Sequence, residues 1–192
     1  MEHTGLDSEL PVLRLSVAQY HAMRDAGILR EDDRVELIEG LIVPKMTKNP
    51  PHRISTDSVR RELERALPAG YSVQVQDPIT TGDSEPEPDV AVIRGNARDY
   101  PDRHPGPSDV VLVVEVSDDS LERDRGPKQR AYARAGIVAY WIVNLRDRVV
   151  EALREPRGET FAMRTAHRAG AEIPLVIDGR EVARIHVDAL LP

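Results

Sequence analysis

An α/β or α+β fold built on a mixed β-sheet is predicted for this chain by three observations. Helix-like and strand-like segments follow one another as helix, strands, helix, strands, helix, strands. The run Val110-Val111-Leu112-Val113-Val114-Glu115-Val116 lacks alternation, the pattern of a central strand covered by helices on both faces. Near the end, Asp178-Gly179 separates two strand-like runs, a strong hairpin signal.

The elements read as follows in chain order. Residues 1–14 show no clear period, consistent with partial disorder, and residues 15–192 read as a single domain. Ser16 and Gln19 form a capping box for a helix reaching about Ala26, with Gly27 as its left-handed stop. Arg34 to Val43 reads as two short strands or one bent strand, because Gly40 interrupts its aliphatic residues. Asn49-Pro50-Pro51 reads as a loop ending at His52; Val59, Leu63, Ala66 and Leu67 then mark one face of a helix ending near Gly70.

Tyr71 to Gln76 alternates as a strand with one wet face, and Thr81 to Pro88 is a turn-rich acidic loop feeding the strand Pro88 to Ile93. Arg94 to Ser108 carries too many Gly and Pro residues for an element and reads as a long loop. After the run at Val110, Pro127 suits a first helical turn, Ala131, Tyr132 and Ala135 form an inward stripe, and Gly136 ends the helix. Ile137 to Val143 reads as a buried strand carrying the only Trp, Trp141, hairpinned to Val149–Leu153; strands follow from Thr160.

Composition narrows the class. The chain has 192 residues, enough to bury a core without covalent staples, and no cysteine, so disulfides and thiolate metal sites are out. No apolar run approaches the roughly 18 residues of a membrane span, and the start carries acids rather than a basic leader, so a cytoplasmic protein without membrane association is expected. A formal net charge of −7 argues against non-specific coating of nucleic acid, yet leaves room for a local basic surface.

The candidate chemistry sits between Glu85 and Lys128. Asp89 opens one strand, and Glu115 lies inside the most apolar run, where a lone carboxylate is costly to desolvate. Lys128 follows on the next helix. Two carboxylates are the hard oxygen ligands that Mg²⁺ favours, and a lysine beside them can orient water or stabilise negative charge, the parts needed for phosphodiester hydrolysis. Arg123, Arg125, Lys128, Arg130 and Arg134 make the best phosphate-facing surface in the chain, although a solvated helix face explains them equally well.

Pro88-Asp89 followed by Glu115 resembles the PD-(D/E)XK nuclease superfamily. More closely, the chain is similar to the Uma-type family of restriction-endonuclease-like proteins, through Glu36-Leu37-Ile38-Glu39-Gly40, His52, Pro88-Asp89, Val114-Glu115-Val116-Ser117, Asp124, Lys128, Tyr132 and Gly136 to Val143. The resemblance implies a restriction-endonuclease-like core, a mixed sheet flanked by helices, acting as a Mg²⁺- or Mn²⁺-dependent endonuclease on nucleic acid, DNA above all. It implies a metal held by Asp89, Glu115 and the carbonyl of Val116, with Glu36 as a further acid and His52 as a site residue of unassigned role. Where the superfamily pattern has lysine, two residues after Glu115, this chain has Ser117; the resemblance places the lysine at Lys128 instead. A homodimer is expected if both strands of a duplex are cut.

Plainer readings stand beside these. Asp89 can be a polar strand start, Glu115 the cap of an exposed strand end or the partner of an arginine, Lys128 a surface residue, Glu36 and Glu39 the wet side of an edge strand, and His52 a loop residue or helix cap. The matching alternative function is a catalytically silent module that keeps the nuclease fold to bind nucleic acid or protein.

Overall fold

The computed structural model describes residues 12–192, so the expectation for residues 1–11 lies outside the described residues. Helix α1 (Val17–Asp25) starts at the Ser16/Gln19 capping box, with both reciprocal bonds made. Strands β1 (Val35–Ile38) and β2 (Leu41–Pro44) form an antiparallel hairpin. Its two turn residues, Glu39 and Gly40, have φ of 51° and 75°, the left-handed pair that matches the twist of a two-residue hairpin.

Helix α2 (Pro50–Ala66) begins earlier than its sequence suggests. Asn49 is the cap, and Pro50 and Pro51 occupy the first turn, where a missing N–H costs nothing because those donors have no partner within the helix. The Pro-Pro loop is therefore helix.

A six-stranded sheet forms the centre, in the order β3 (Tyr71–Gln74), β4 (Val90–Arg94), β5 (Val110–Ser117), β6 (Ala139–Asn144), β7 (Val149–Arg157) and β8 (Thr160–Arg168). Only β5 and β6 run parallel, so the sheet is mixed. Every residue of β5 is buried, as its unalternating sequence requires. Helix α2 packs on one face through Val59 and Leu63. The hairpin of β9 (Glu172–Ile177) and β10 (Arg180–His186), turning at Asp178 and Gly179, covers the same face with Ile173, Leu175, Ile177 and Ile185. Trp141 lies in that core.

The other face is closed by a broken helix. A short piece, α3 (Leu121–Arg123), leads into a π-turn at Asp124–Lys128 and then α4 (Gln129–Ala135), which buries Tyr132 and Ala133 against Tyr140 and Ile142. Pro127 sits inside this π-turn rather than at a helix start, and Gly126 leaves helical geometry altogether, at φ −106° and ψ −106°. Gly136 ends α4 at φ 79°. Among the described residues no helix is long and apolar enough to cross a membrane.

Gly40 provides a direct check on this packing. A Cβ there would stand 2.7 Å from Arg14 Cβ, and its φ is positive. Gly40→Ala is expected to cost about 1–2 kcal/mol of unfolding free energy in urea titration, from the left-handed backbone alone; an unchanged midpoint would show that the hairpin is not held as described.

Candidate functional site

The site forms where β4 begins and β5 ends, on the edge of the sheet that α2 and the π-turn both approach. Pro88 precedes Asp89, which stands one residue before β4 at the strand entrance. Parity along β5 sends Val113 and Glu115 to the same face, and there Val113 packs in the core beside Tyr132. Glu115 is consequently a carboxylate at 3% exposure inside a hydrophobic layer.

Its partners come from the broken helix. Lys128 Nζ donates to Glu115 Oε1 at 2.8 Å, and the Tyr132 hydroxyl donates to the same oxygen at 2.8 Å. Lys128 is itself buried and lies 3.6 Å from Glu36 Oε2. The π-turn is docked by Asp124, whose Oδ2 accepts from Ser117 Oγ and Ser120 Oγ, both at 2.6 Å. Ser117, standing where the superfamily pattern has lysine, thus anchors the segment that brings a lysine from elsewhere.

Asp89 is arranged differently. Its Oδ2 accepts from the Val116 amide at 2.9 Å and contacts His52 Nε2 at 3.1 Å. His52 is placed by Asn49, which caps its amide at 3.0 Å in the first turn of α2. Glu36 Oε2 accepts the Glu87 amide at 3.0 Å.

Glu36, His52, Asp89, Glu115 and Lys128 all line one cavity of about 60 Å³, room for an ion and a few waters. Val116 contributes its amide to Asp89, and in an extended strand its carbonyl leaves by the same edge. Glu39 lies elsewhere, bonded to Arg130 and Arg134. Further residues line the cavity without being legible as site residues in the sequence, among them Lys48, Asn49, Asp118 and Glu87. A loop lysine and isolated acids carry no periodicity signal, so only the fold reveals them.

The arginines grouped along the sequence do not make one phosphate-facing surface. Arg125 pairs with Glu151, Arg130 with Glu39, Arg134 with Glu39, Asp83 and Glu159, and Arg123 donates to the Pro44 carbonyl. The cavity is instead acidic, with seven carboxylates, among them Glu36, Asp89, Glu115 and Asp124, against four cations.

The imbalance shows in the titrations. Burial pushes the Glu115 carboxyl up to about 8; Lys128 opposes this, while Asp124, Asp89 and Glu36 add to it. Burial likewise raises Asp124. Burial would also raise Asp89, but His52, Lys128 and the Val116 amide outweigh it and hold its carboxyl below the usual range. Lys128 is desolvated, yet Glu115, Glu36 and Asp124 keep its ammonium well above the ordinary lysine value.

Among the described residues, no three His, Cys, Asp or Glu side chains gather into a complete ligand set. A Mg²⁺-type ion does not need one, since it binds through one or two carboxylates and keeps its waters. Asp89 Oδ1 and Glu115 Oε2 accept no hydrogen bond among the described residues, and both carboxylates face the cavity, so the donor set fits such an ion.

Comparison with known proteins places the chain beside a described family and a solved structure. The model of the Uma2 family, described as a putative restriction endonuclease, matches residues 17–183. A crystal structure from Anabaena variabilis, described as a putative nuclease belonging to DUF820, superposes with a TM-score of 0.65 at 13% sequence identity, covering 86% of this chain and 94% of that one. At that identity the likeness shows the fold alone. No curated protein matches the chain.

The buried glutamate makes a signed prediction. With a folded-state value of about 8 against an ordinary 4.5, Glu115 keeps a proton that the unfolded chain releases, so its contribution to stability declines as pH rises from about 4.5 to about 8. Glu115→Gln keeps an acceptor for Lys128 and Tyr132 without the titration. Its unfolding free energy is expected to gain on the wild type across that window in urea titrations, whereas a difference independent of pH would contradict the assignment.

Proposed function

Because the chain belongs to the Uma2 family, described as a putative restriction endonuclease, we propose that it is a metal-dependent nuclease that hydrolyses phosphodiester bonds, with DNA as its substrate. The observation that carries this reading is the pairing of Asp89 and Glu115 across one cavity, each with an oxygen to spare, beside the buried ammonium of Lys128.

Asp89 and Glu115, with the Val116 carbonyl, are the groups that would hold Mg²⁺ or Mn²⁺. Such an ion, when bound, polarises the phosphoryl oxygen and lowers the pKa of a coordinated water. The residues of the chain do the rest. His52 and the Val116 amide keep Asp89 ionised and in one orientation, which preserves a ligand at neutral pH. Tyr132 fixes one oxygen of Glu115 and leaves the other turned to the cavity. Lys128 keeps a positive charge beside the reacting phosphoryl group, where it offsets the charge that develops in the transition state. Glu36 holds Lys128 from its far side and supplies a further acid. Cleaving both strands of a duplex takes two such sites, which a two-fold homodimer provides.

One observation favours a second reading, a catalytically silent module that keeps the fold. Lys128 is already bonded to Glu115 and lies near Glu36, as a purely structural ion pair would be. Cleavage assays on single- and double-stranded DNA with Mg²⁺ or Mn²⁺ separate the two. The wild type is expected to cut, and Asp89→Ala and Lys128→Ala, each checked for folding by circular dichroism, are expected to lose about 10²–10³-fold in rate. Absence of cleavage by the wild type, or activity untouched by either change, would favour the silent module.

A further inference from the structure

Three of the four cations lining the cavity are already matched. Lys128 donates to Glu115 at 2.8 Å, Lys45 pairs with Glu87 at 2.5 Å, and Arg123 donates to the Pro44 carbonyl at 2.7 Å while lying 3.7 Å from Glu36. Lys48 has no ion-pair partner among the described residues, and its side chain is exposed.

The position of Lys48 is fixed on both sides. The Lys45 amide donates to the Arg34 carbonyl at 2.8 Å, and the Asn49 side-chain amide donates to Asp118 at 2.7 Å, tying the segment across the cavity mouth. Partial desolvation at the cavity mouth lowers the pKa of its ammonium, and Asp89 and Glu115 draw it the other way, as expected of a charge beside the cavity.

The start of α2 does not offer a competing anion site. Pro50 and Pro51 have no N–H, the His52 amide is taken by Asn49 Oδ1, and the Arg53 amide by the Asn49 carbonyl at 3.1 Å. A phosphate approaching this mouth therefore meets surplus carboxylates on every side and one cation with its charge still unspent.

We propose that Lys48 is the residue that grips the substrate backbone, taking the non-bridging oxygens of a phosphodiester at the cavity mouth while Lys128 serves the floor. This inference rests on the nuclease reading. It gives the two lysines separate roles, with Lys48 holding the strand and Lys128 acting on the bond that breaks.

Fluorescence anisotropy with fluorescein-labelled single- and double-stranded DNA, with Ca²⁺ in place of Mg²⁺, measures the grip apart from cleavage. Across a salt series, Lys48→Ala is expected to bind several-fold more weakly at low salt and to lower the slope of log affinity against log salt by about 1, the loss of one phosphate contact. Lys48→Glu should bind more weakly still, and Lys48→Arg should keep the wild-type slope. With Mg²⁺, Lys48→Ala should raise the KM for DNA several-fold. Wild-type affinity and slope in Lys48→Ala, in a protein that does bind DNA, would overturn the inference and leave the nuclease reading intact. A wild-type protein that neither binds nor cuts DNA would remove the nuclease reading, and this inference with it.

Discussion

The buried contact between Lys128 and Glu115 constrains most of what surrounds it. A carboxylate within a fully buried strand must be partnered or protonated, since desolvation disfavours its charge by several kcal/mol. Lys128, at the end of the π-turn, and Tyr132, four residues on in α4, reach it from the same side of the broken helix. For them to do so, the chain leaving β5 has to turn back tightly over the sheet, and it does this by giving up regular helix at Gly126. Ser117 and Ser120 hold Asp124 at one end of that turn, and Arg125 reaches Glu151 two strands away. Breaks of this kind inside helices recur at functional sites, where they aim side chains that an unbroken helix would turn aside.

Charge then decides what the cavity can accept. Seven carboxylates against four cations leave a net negative pocket, and Asp124, Asp89 and Glu36 add to the burial that raises the Glu115 carboxyl. A divalent cation relieves it and a bare polyanion aggravates it, so metal and substrate are coupled by electrostatics alone. Arg125, Arg130 and Arg134 do not alter this balance, because they are consumed by acids outside the cavity.

Much of the fold was legible from local pattern. The unalternating run at Val110 identified the central strand, the Ser16/Gln19 box the start of α1, and Asp178-Gly179 the last hairpin. Pattern also brought Asp89 and Glu115 to notice, because charged residues beside or within apolar strands are conspicuous. Other features depend on contacts far apart in the chain. That β9 and β10 share a sheet face with α2 follows from packing, not from their own alternation. The prolines at positions 50 and 51 read as loop because breakers are ambiguous at helix starts. Whether an arginine is free or paired depends on acids brought in by folding, as Arg125 and Glu151 show, and the same holds for Lys48, whose interest lies in what does not reach it.

The central claim is that Asp89 and Glu115 form one metal site with Lys128 beside it. Anomalous diffraction from a crystal grown with Mn²⁺ tests this most directly. The account predicts a peak bonded to both carboxylates, with the Lys128 ammonium still in contact with Glu115. A peak elsewhere, or none at millimolar Mn²⁺, would contradict it.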